Sequence, residues 1–342
     1  MVSHNQFLWG LEIDAEPVDA GLANLISSVE VNITRDRMSK VTLSLESPLV
    51  ADNTKTRYIF SKGRLVKVFA GYDKLKFIGA GVIDHHDLQC ADESLLVHCL
   101  DKGGMMGLAE HDEVYTNTKD SDIVSTIAKK YDLTLDMDTT QAKVSRTQQD
   151  KTDYAFVRTL AANNGYEFFI EYDYHKAVWV LHFHKPRPNK QKTSFEFEYS
   201  ATKDNDVVKS FSPRVYGKLQ KKGKLIVHAW LSDTRQDTTL EEKTLGEDET
   251  VEEIFDKRFQ NKQEAEQFIK GLAKTRDEAY MEASAVLLGN PELFVGDIHT
   301  FKGLTFMFFP SLDGDYRVKE VTHRIVPQET FNTELNLLRS SS

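Results

Sequence analysis

Residues 150–173 read DKTDYAFVRTLAANNGYEFFIEYD, a stretch in which a helix signal passes straight into a strand signal. Thr152 can cap a helix with its hydroxyl, and Asp153 places negative charge at the first helical position, where the helix dipole favours it. Phe156, Val157, Leu160 and Ala161 recur at helical spacing, which predicts one buried stripe. The helix then meets Asn163-Asn164-Gly165, where glycine can take the left-handed turn that closes a helix, and Tyr166 to Tyr172 is an aromatic, strand-forming run.

An upstream stretch, residues 121–135, SDIVSTIAKKYDLTL, repeats the design. A capping serine, Ser121, and Asp122 lead into the apolar stripe of Ile123, Val124, Ile127 and Ala128, then a short strand. Thr126-Ile127-Ala128 lines up with Thr159-Leu160-Ala161. Taken with Gly165-Tyr166-Glu167-Phe168-Phe169, these residues resemble the phage late control D protein family, which includes the hub proteins of contractile tails and the hub part of the VgrG proteins of type VI secretion.

The first third of the chain reads as β-structure. Val29, Val31 and Ile33 alternate with polar residues, as do Val41, Leu43 and Leu45, so a long hairpin with one wet face is expected. After the Ser47-Pro48 break come Leu65 to Phe69, Lys76 to Ile83 and Leu95 to Cys99, short strands whose number and spacing suggest a small barrel or sandwich. Lys102-Gly103-Gly104 marks a domain exit. Phe168 to Tyr172 pairs with Ala177 to Phe183 across a Tyr174-His175-Lys176 turn, and the prolines of Lys185 to Lys190 make that run a connector. Phe195 to Tyr199, Val207 to Phe211, Arg214 to Lys218 and Lys224 to Trp230 read as strands. Asn261 and Glu264 have capping-box spacing, and Ala265, Phe268, Ile269, Leu272 and Ala273 form one helical face. Met281 to Leu288, Phe306 to Phe309, Tyr316 to Ile325 and Thr330 to Leu337 return to β-character.

The closing stretch extends the resemblance. Gly289-Asn290-Pro291-Glu292-Leu293-Phe294-Val295-Gly296-Asp297, then the run Gly314 to His323, then Thr330 to Leu335 are similar to three motifs of the same family, and their order along one chain is the specific feature. The resemblance implies an α+β, mainly β chain with two tandem tail-tube-like β-barrels and an α/β domain between them. The first barrel would occupy 1–115, the α/β helical domain 116–185 with 236–285, and the second barrel 186–235 with 286–342. It further implies a homotrimeric baseplate hub joining a hexameric tail tube to a trimeric central spike. Tail tube, spike, other baseplate and tape measure proteins would be partners, and DNA would be met only in transit through the lumen. Such a hub resides in the virion tail baseplate or an extracellular injection particle assembled in the host bacterial cytoplasm, and its lumen is expected to be acidic. The chain ends soon after Leu337, so a separate spike protein is expected to cap it.

Composition narrows the alternatives. At 342 residues and 40% hydrophobic, the chain can bury several cores, and a net charge of -10 argues against gripping nucleic acid through phosphates. No window approaches the roughly 20 apolar residues of a membrane helix, so no stable membrane association is expected. Cys90 and Cys99 are too few for a disulfide scaffold and read as reduced core residues.

Chemistry-bearing groupings are few. Histidines cluster only at His85-His86, between Asp84 and Asp87, and at His182 with His184. Residues 182 and 184 share a strand face and could grip a metal, whereas adjacent histidines point opposite ways. Exposed strand histidines lacking a third ligand are ordinarily solvated, so no metal is assigned. No Gly-x-Ser-x-Gly elbow, His-Glu-x-x-His helix or phosphate-cradling loop occurs, so no catalytic residue, cofactor or enzymatic activity is expected. Lys218, Lys221, Lys222 and Lys224 read as a solvated hairpin tip. A competing reading takes Thr118 to Asp136 as half of a LysM-like peptidoglycan-binding module, or the chain as a cell-wall-degrading tail protein.

Overall fold

Alternation around Val29 and Val31 becomes, in the computed structural model, the seam between two β-rich halves. The structure describes residues 7–46, 59–89, 91, 93–185, 187, 194–199, 207–215, 222–244, 247–278, 281–303 and 312–339. The N-terminal half holds β1 (Leu8–Ile13), β2 (Glu16–Pro17), β3 (Ile26–Thr34), β4 (Lys40–Glu46), β5 (Leu65–Gly71), β6 (Lys76–Gln89) and β7 (Ser94–Leu100). A middle unit follows with β8 (Glu110–Lys119), β9 (Thr134–Met137), β10 (Lys143–Thr152), β11 (Glu167–Asp173) and β12 (Val178–His184), and with helices Asp120–Lys130 and Asp153–Asn164. The C-terminal half starts with β13 (Glu196–Glu198) and β14 (Val208–Val215). It is interrupted by β15 (Lys222–Leu231), β16 (Gln236–Lys243), β17 (Glu247–Phe259) and the helix Lys262–Glu278. It resumes with β18 (Met281–Leu288), β19 (Ile298–Lys302), β20 (Gly314–Val326) and β21 (Thr330–Arg339).

One sheet runs through both halves in the order β14-β18-β21-β20-β3-β4-β7-β6-β5-β1-β2, with β19 on β20 and β13 on β19. Among the described residues this path does not close on itself. The molecule is mainly β with several antiparallel sheets, none of them closed among the described residues, and this path does not confirm the two tandem tail-tube-like barrels that the family resemblance implies. The joint is the antiparallel β20–β3 pair, in register from Glu320 opposite Thr34 to Ile325 opposite Val29.

Side chains on the two strands explain why they meet. Val29, Val31 and Ile325 are buried in the N-terminal core, Val321 in the C-terminal core, and Ile33 packs against both. Each fully buried aliphatic side chain contributes about 1.5–3 kcal/mol. On the other face Asn32 Nδ2 donates to Thr322 Oγ1 at 2.8 Å and also to Glu320, which Arg37 and Asn336 reach as well. Arg35, just past β3, extends the joint to a third unit: its guanidinium lies 4.5 Å over the Phe169 ring and 3.3 Å from Glu167. Gly296, at φ +92°, leaves room for it, since a Cβ there would sit 2.5 Å from Arg35 Nη2.

The middle unit confirms the helix at 153–164 in detail. Thr152 Oγ1 accepts the Ala155 N–H at 3.2 Å, the expected stripe is buried, and Gly165 closes the helix at φ +63°. Its backbone then runs against Gly271 of the 262–278 helix so closely that a Cβ on either would meet the other's Cα at 2.4 Å. The upstream helix departs from expectation at its start. It begins at Asp120, and Ser121 is no cap; its N–H donates instead to Thr140 Oγ1 at 3.1 Å. A threonine distant in sequence supplies the acceptor that the local residue was expected to supply.

Other departures have physical reasons. Residues 236–259, placed by the expected boundaries in a helical part, form β16 and β17 on either side of β15, and only 262–278 is helical. The two strands expected at Val207 to Phe211 and at Arg214 to Lys218 are, over the described residues, the single strand β14 (Val208–Val215), with Pro213 tolerated because β14 ends the sheet order. Lys102-Gly103-Gly104 opens a short helix, Gly103–Met106. At the 262–278 helix, Asn261 Oδ1 accepts the Glu264 N–H at 2.9 Å, while Glu264 reaches back to the Gln260 N–H, one residue before the expected partner. Ser47-Pro48, Phe306 to Phe309, most of the Pro186 to Lys190 run, Cys90, Lys218 and Lys221 lie outside the described residues. Cys99 is buried, and burial pushes its thiol up to about 12. Among the described residues no helix is long and apolar enough to cross a membrane.

A charged joint ties the insertion to the middle unit. Arg146 on β10 donates twice to Asp120 at 2.8 Å and once to Glu264, and Asn164 donates to Asp120 at 2.7 Å. Asp120 and Glu264 are buried. Arg146→Met leaves both carboxylates without their cation, and we expect a loss of about 3–5 kcal/mol in urea unfolding. A second expectation concerns pH. Burial pushes His299 down to about 4 and His323 down to about 3, below an unfolded value near ~6.5. The folded state then refuses protons that the unfolded chain takes, so stability is full above pH ~6.5 and is lost as pH falls toward the folded values. The thermal midpoint should fall between pH 6.5 and 5, with a shallower slope in His323→Gln.

Candidate functional site

Open strand edges are the first feature able to engage another chain. In the described residues β14 has a partner on one side only, β16 and β17 each pair with β15 alone, and β8 and β10 pair only with each other. Unpaired backbone donors and acceptors on such edges are templates for another strand. Their sequences restrain chance pairing: β17 begins EDETVEE, β8 begins EHDE, and β14 carries Lys209, Arg214 and Pro213.

The outer face of the β15–β17 sheet carries two exposed aromatic side chains. Leu225, Val227, Ala229 and Leu231 turn inward against Ala265, Ile269 and Ala273 of the helix, so alternation sends His228 and Trp230 outward. Phe255 is 59% exposed, Trp230 is 40% exposed, and His228 stacks on Phe255 at 4.5 Å. They line a hollow of about 740 Å³ with Asp237, Thr239 and Arg258. A smaller hollow of about 310 Å³ lies where Tyr72 and Lys76 of the N-terminal half meet Val207, Leu288 and Pro291 of the C-terminal half. Lys76 and Glu292 form an ion pair across it. The basic tip is partly visible: Lys224 pairs with Glu241 at 2.5 Å.

Both histidine groupings gain a third potential ligand from a neighbouring strand. His182, on β12, faces Asp136 of β9 in a parallel register, and His184 lies two residues on. The expectation that these histidines are exposed and solvated is corrected here. His182 and His184 are 8% and 2% exposed because β12 is the central strand of its sheet. His182 joins Asp136 at 3.1 Å to Glu171 at 2.9 Å, and Phe169 stacks on its ring at 4.2 Å. Arg187 also pairs with Asp136, so this group is already neutralised by a cation. Burial holds His184 below its ordinary value, with Arg187 and His182 acting in the same direction.

The second grouping sits at the outer end of the β6–β7 hairpin. His85 lies opposite His98, the rings stack at 4.5 Å, and Asp87 Oδ2 lies 3.1 Å from His98 Nε2. His86 points away, its Nε2 2.7 Å from the Phe60 carbonyl, as alternation requires. His98 and Asp136 were missed in the sequence because each lies across a ladder, 13 and 46 positions from its partner histidine. A plain hairpin register drawn from Ile83 opposite Cys99 would have set His98 opposite Asp84, and it is the register shift between Ile83 and His85 that brings His98 opposite His85.

Comparison with known proteins fits this architecture. Residues 11–211 match the model of the family described as Alg8 N-terminal domain. No curated protein matches. Among solved structures, the chain is similar to the 43 kDa tail protein of prophage MuSo2 from Shewanella oneidensis, with 10% identity, 97% of this chain and 98% of that one covered, and a TM-score of 0.68. It is similar to a tail protein from Neisseria meningitidis MC58, with 8% identity, 98% and 97% covered, and a TM-score of 0.69. A third is the Escherichia coli c3393 protein, described as a type VI secretion component with structural similarity to the T4 tail proteins gp27 and gp5. It has 11% identity, 97% and 77% covered, and a TM-score of 0.58. At these identities the likeness is one of fold, and the fold is that of tail proteins.

The different surroundings of the two histidine groups give a paired expectation. His182→Ala removes the bridge between Asp136 and Glu171 and should cost about 1–3 kcal/mol. His85→Ala, at an exposed position, should stay within about 0.5 kcal/mol of the parent in the same denaturant titration.

Proposed function

The chain belongs to the family of the Alg8 N-terminal domain, and from its tail-protein fold we propose that it is a structural hub protein of a phage tail or related injection machine. The observation that carries this reading is the sheet that passes unbroken through the β20–β3 ladder, with a separate apolar core on each side. Two β-rich halves fused in one chain have a mechanical use. Three copies present six halves, which offers a near-sixfold face to a hexameric tube and a threefold face to a trimeric spike.

In this reading the two halves act as tube-like modules, and the middle unit with its insertion stands outside the ring. Open strand edges pair between copies, and the charged edge sequences hold off uncontrolled association until the correct partner arrives. The tail tube, the central spike and other baseplate proteins are the partners, and the particle is a virion tail or an injection machine. The lumen carries DNA in transit without gripping it, in keeping with a net charge of -10. The role is to adapt symmetry and hold a passage, with no chemical step assigned.

Mass photometry across a concentration series should show a trimer of the 39.0 kDa chain as the assembled species. A monomer that persists at the highest concentrations, or a stable dimer, overturns the threefold hub.

A further inference from the structure

We infer that the outer end of the β6–β7 hairpin is a binding site for a divalent transition-metal ion of the zinc class, with His85, Asp87 and His98 as ligands. The three residues converge for a reason of strand geometry. Positions 85 and 87 share one face of β6, and the register places His98 of β7 directly opposite His85. Their ligand atoms all lie within 4.8 Å of one another, and His98 Nε2 and Asp87 Oδ2 are 3.1 Å apart. Ligands about 2 Å from a tetrahedral ion stand roughly 3.4 Å from each other, so small side-chain rotations close the site.

A second observation makes this more than a cluster. The ladder shifts register between Ile83 and His85, which lets Asp84 Oδ2 sit 2.8 Å from His85 Nδ1. A carboxylate can only accept, so His85 donates Nδ1–H to Asp84. His85 is thereby fixed in the tautomer whose Nε2 lone pair is free for a metal. A carboxylate behind a ligating imidazole is the outer-shell arrangement that orients such ligands and raises their basicity.

The chemistry selects the ion. Two imidazoles and one carboxylate suit zinc, nickel or copper, and a harder cation such as calcium prefers an all-oxygen shell. The buried group at His182 has a similar residue set but not the same freedom. Both ring nitrogens of His182 are engaged by carboxylates, and Arg187 occupies Asp136. At the hairpin, His85 and Asp87 are exposed and His98 is half-buried, so an ion can enter from solvent, and three ligands leave coordination positions open. The site is independent of the hub reading.

The test is isothermal titration of the full, untagged chain with zinc chloride, repeated with cobalt chloride so that the visible absorption of the bound ion reports its ligands. One equivalent should bind at pH 7.5, be lost at pH 5 as the imidazoles protonate, and be absent for calcium. His98→Ala and Asp87→Asn should each abolish that equivalent, and Asp84→Asn should weaken it by about 10- to 100-fold. Unchanged circular dichroism of Asp87→Asn, a near-isosteric change at an exposed position, would separate lost ligation from lost folding. No binding to the parent chain, or binding that survives both His98→Ala and Asp87→Asn, overturns the assignment.

Discussion

The β3–β20 ladder is the constraint from which the rest of the molecule takes its arrangement. Strands almost 300 positions apart close it, so it carries a large loop-closure cost that local contacts cannot repay. What repays it is burial on both sides at once: Val31 and Ile325 in one core, Val321 in the other, and Ile33 against both. A one-residue slip would reverse every one of these side chains, so the register that fixes the halves relative to each other is strongly specified.

Charge is used where the sheet alone cannot hold a unit in place. Arg35 leaves the end of β3 to meet Glu167 and the Phe169 ring, and Gly296 gives it passage. Arg146 does the same between Asp120 and Glu264. Buried ion pairs of this kind add little net stability over apolar contacts, yet breaking one is costly. They act as registration marks that set units at one angle. The Gly165–Gly271 approach serves the same end by letting the close of one helix lie against the backbone of another.

Much of this was legible where one chemical signal ruled. Thr152, the Phe156 to Ala161 stripe and Gly165 set both ends and the buried face of one helix, and the 29–45 hairpin was plain from alternation. Strands without an apolar face were not: β8 reads EHDEVYTNTK and β10 reads KVSRTQQDKT, and they exist because each satisfies the other's backbone. β17 was hidden by its carboxylates in the same way. The true capping partner of the 120–130 helix, Thr140, and the third members of both histidine groups were out of reach, because a linear pattern does not say which residues face each other across a ladder. The same limit applies to His182 and His184, whose burial follows from β12 being flanked on both sides.

The central claim is that one chain carrying two fused β-rich halves converts threefold order into a ring of six. The most direct measurement is cryo-electron microscopy of the purified particle viewed down its axis, with no symmetry imposed during averaging. Six lobes around an open centre, alternating in two kinds and repeating every 120°, is the predicted image. Three lobes only, six identical lobes, or a particle without a rotational axis would contradict it.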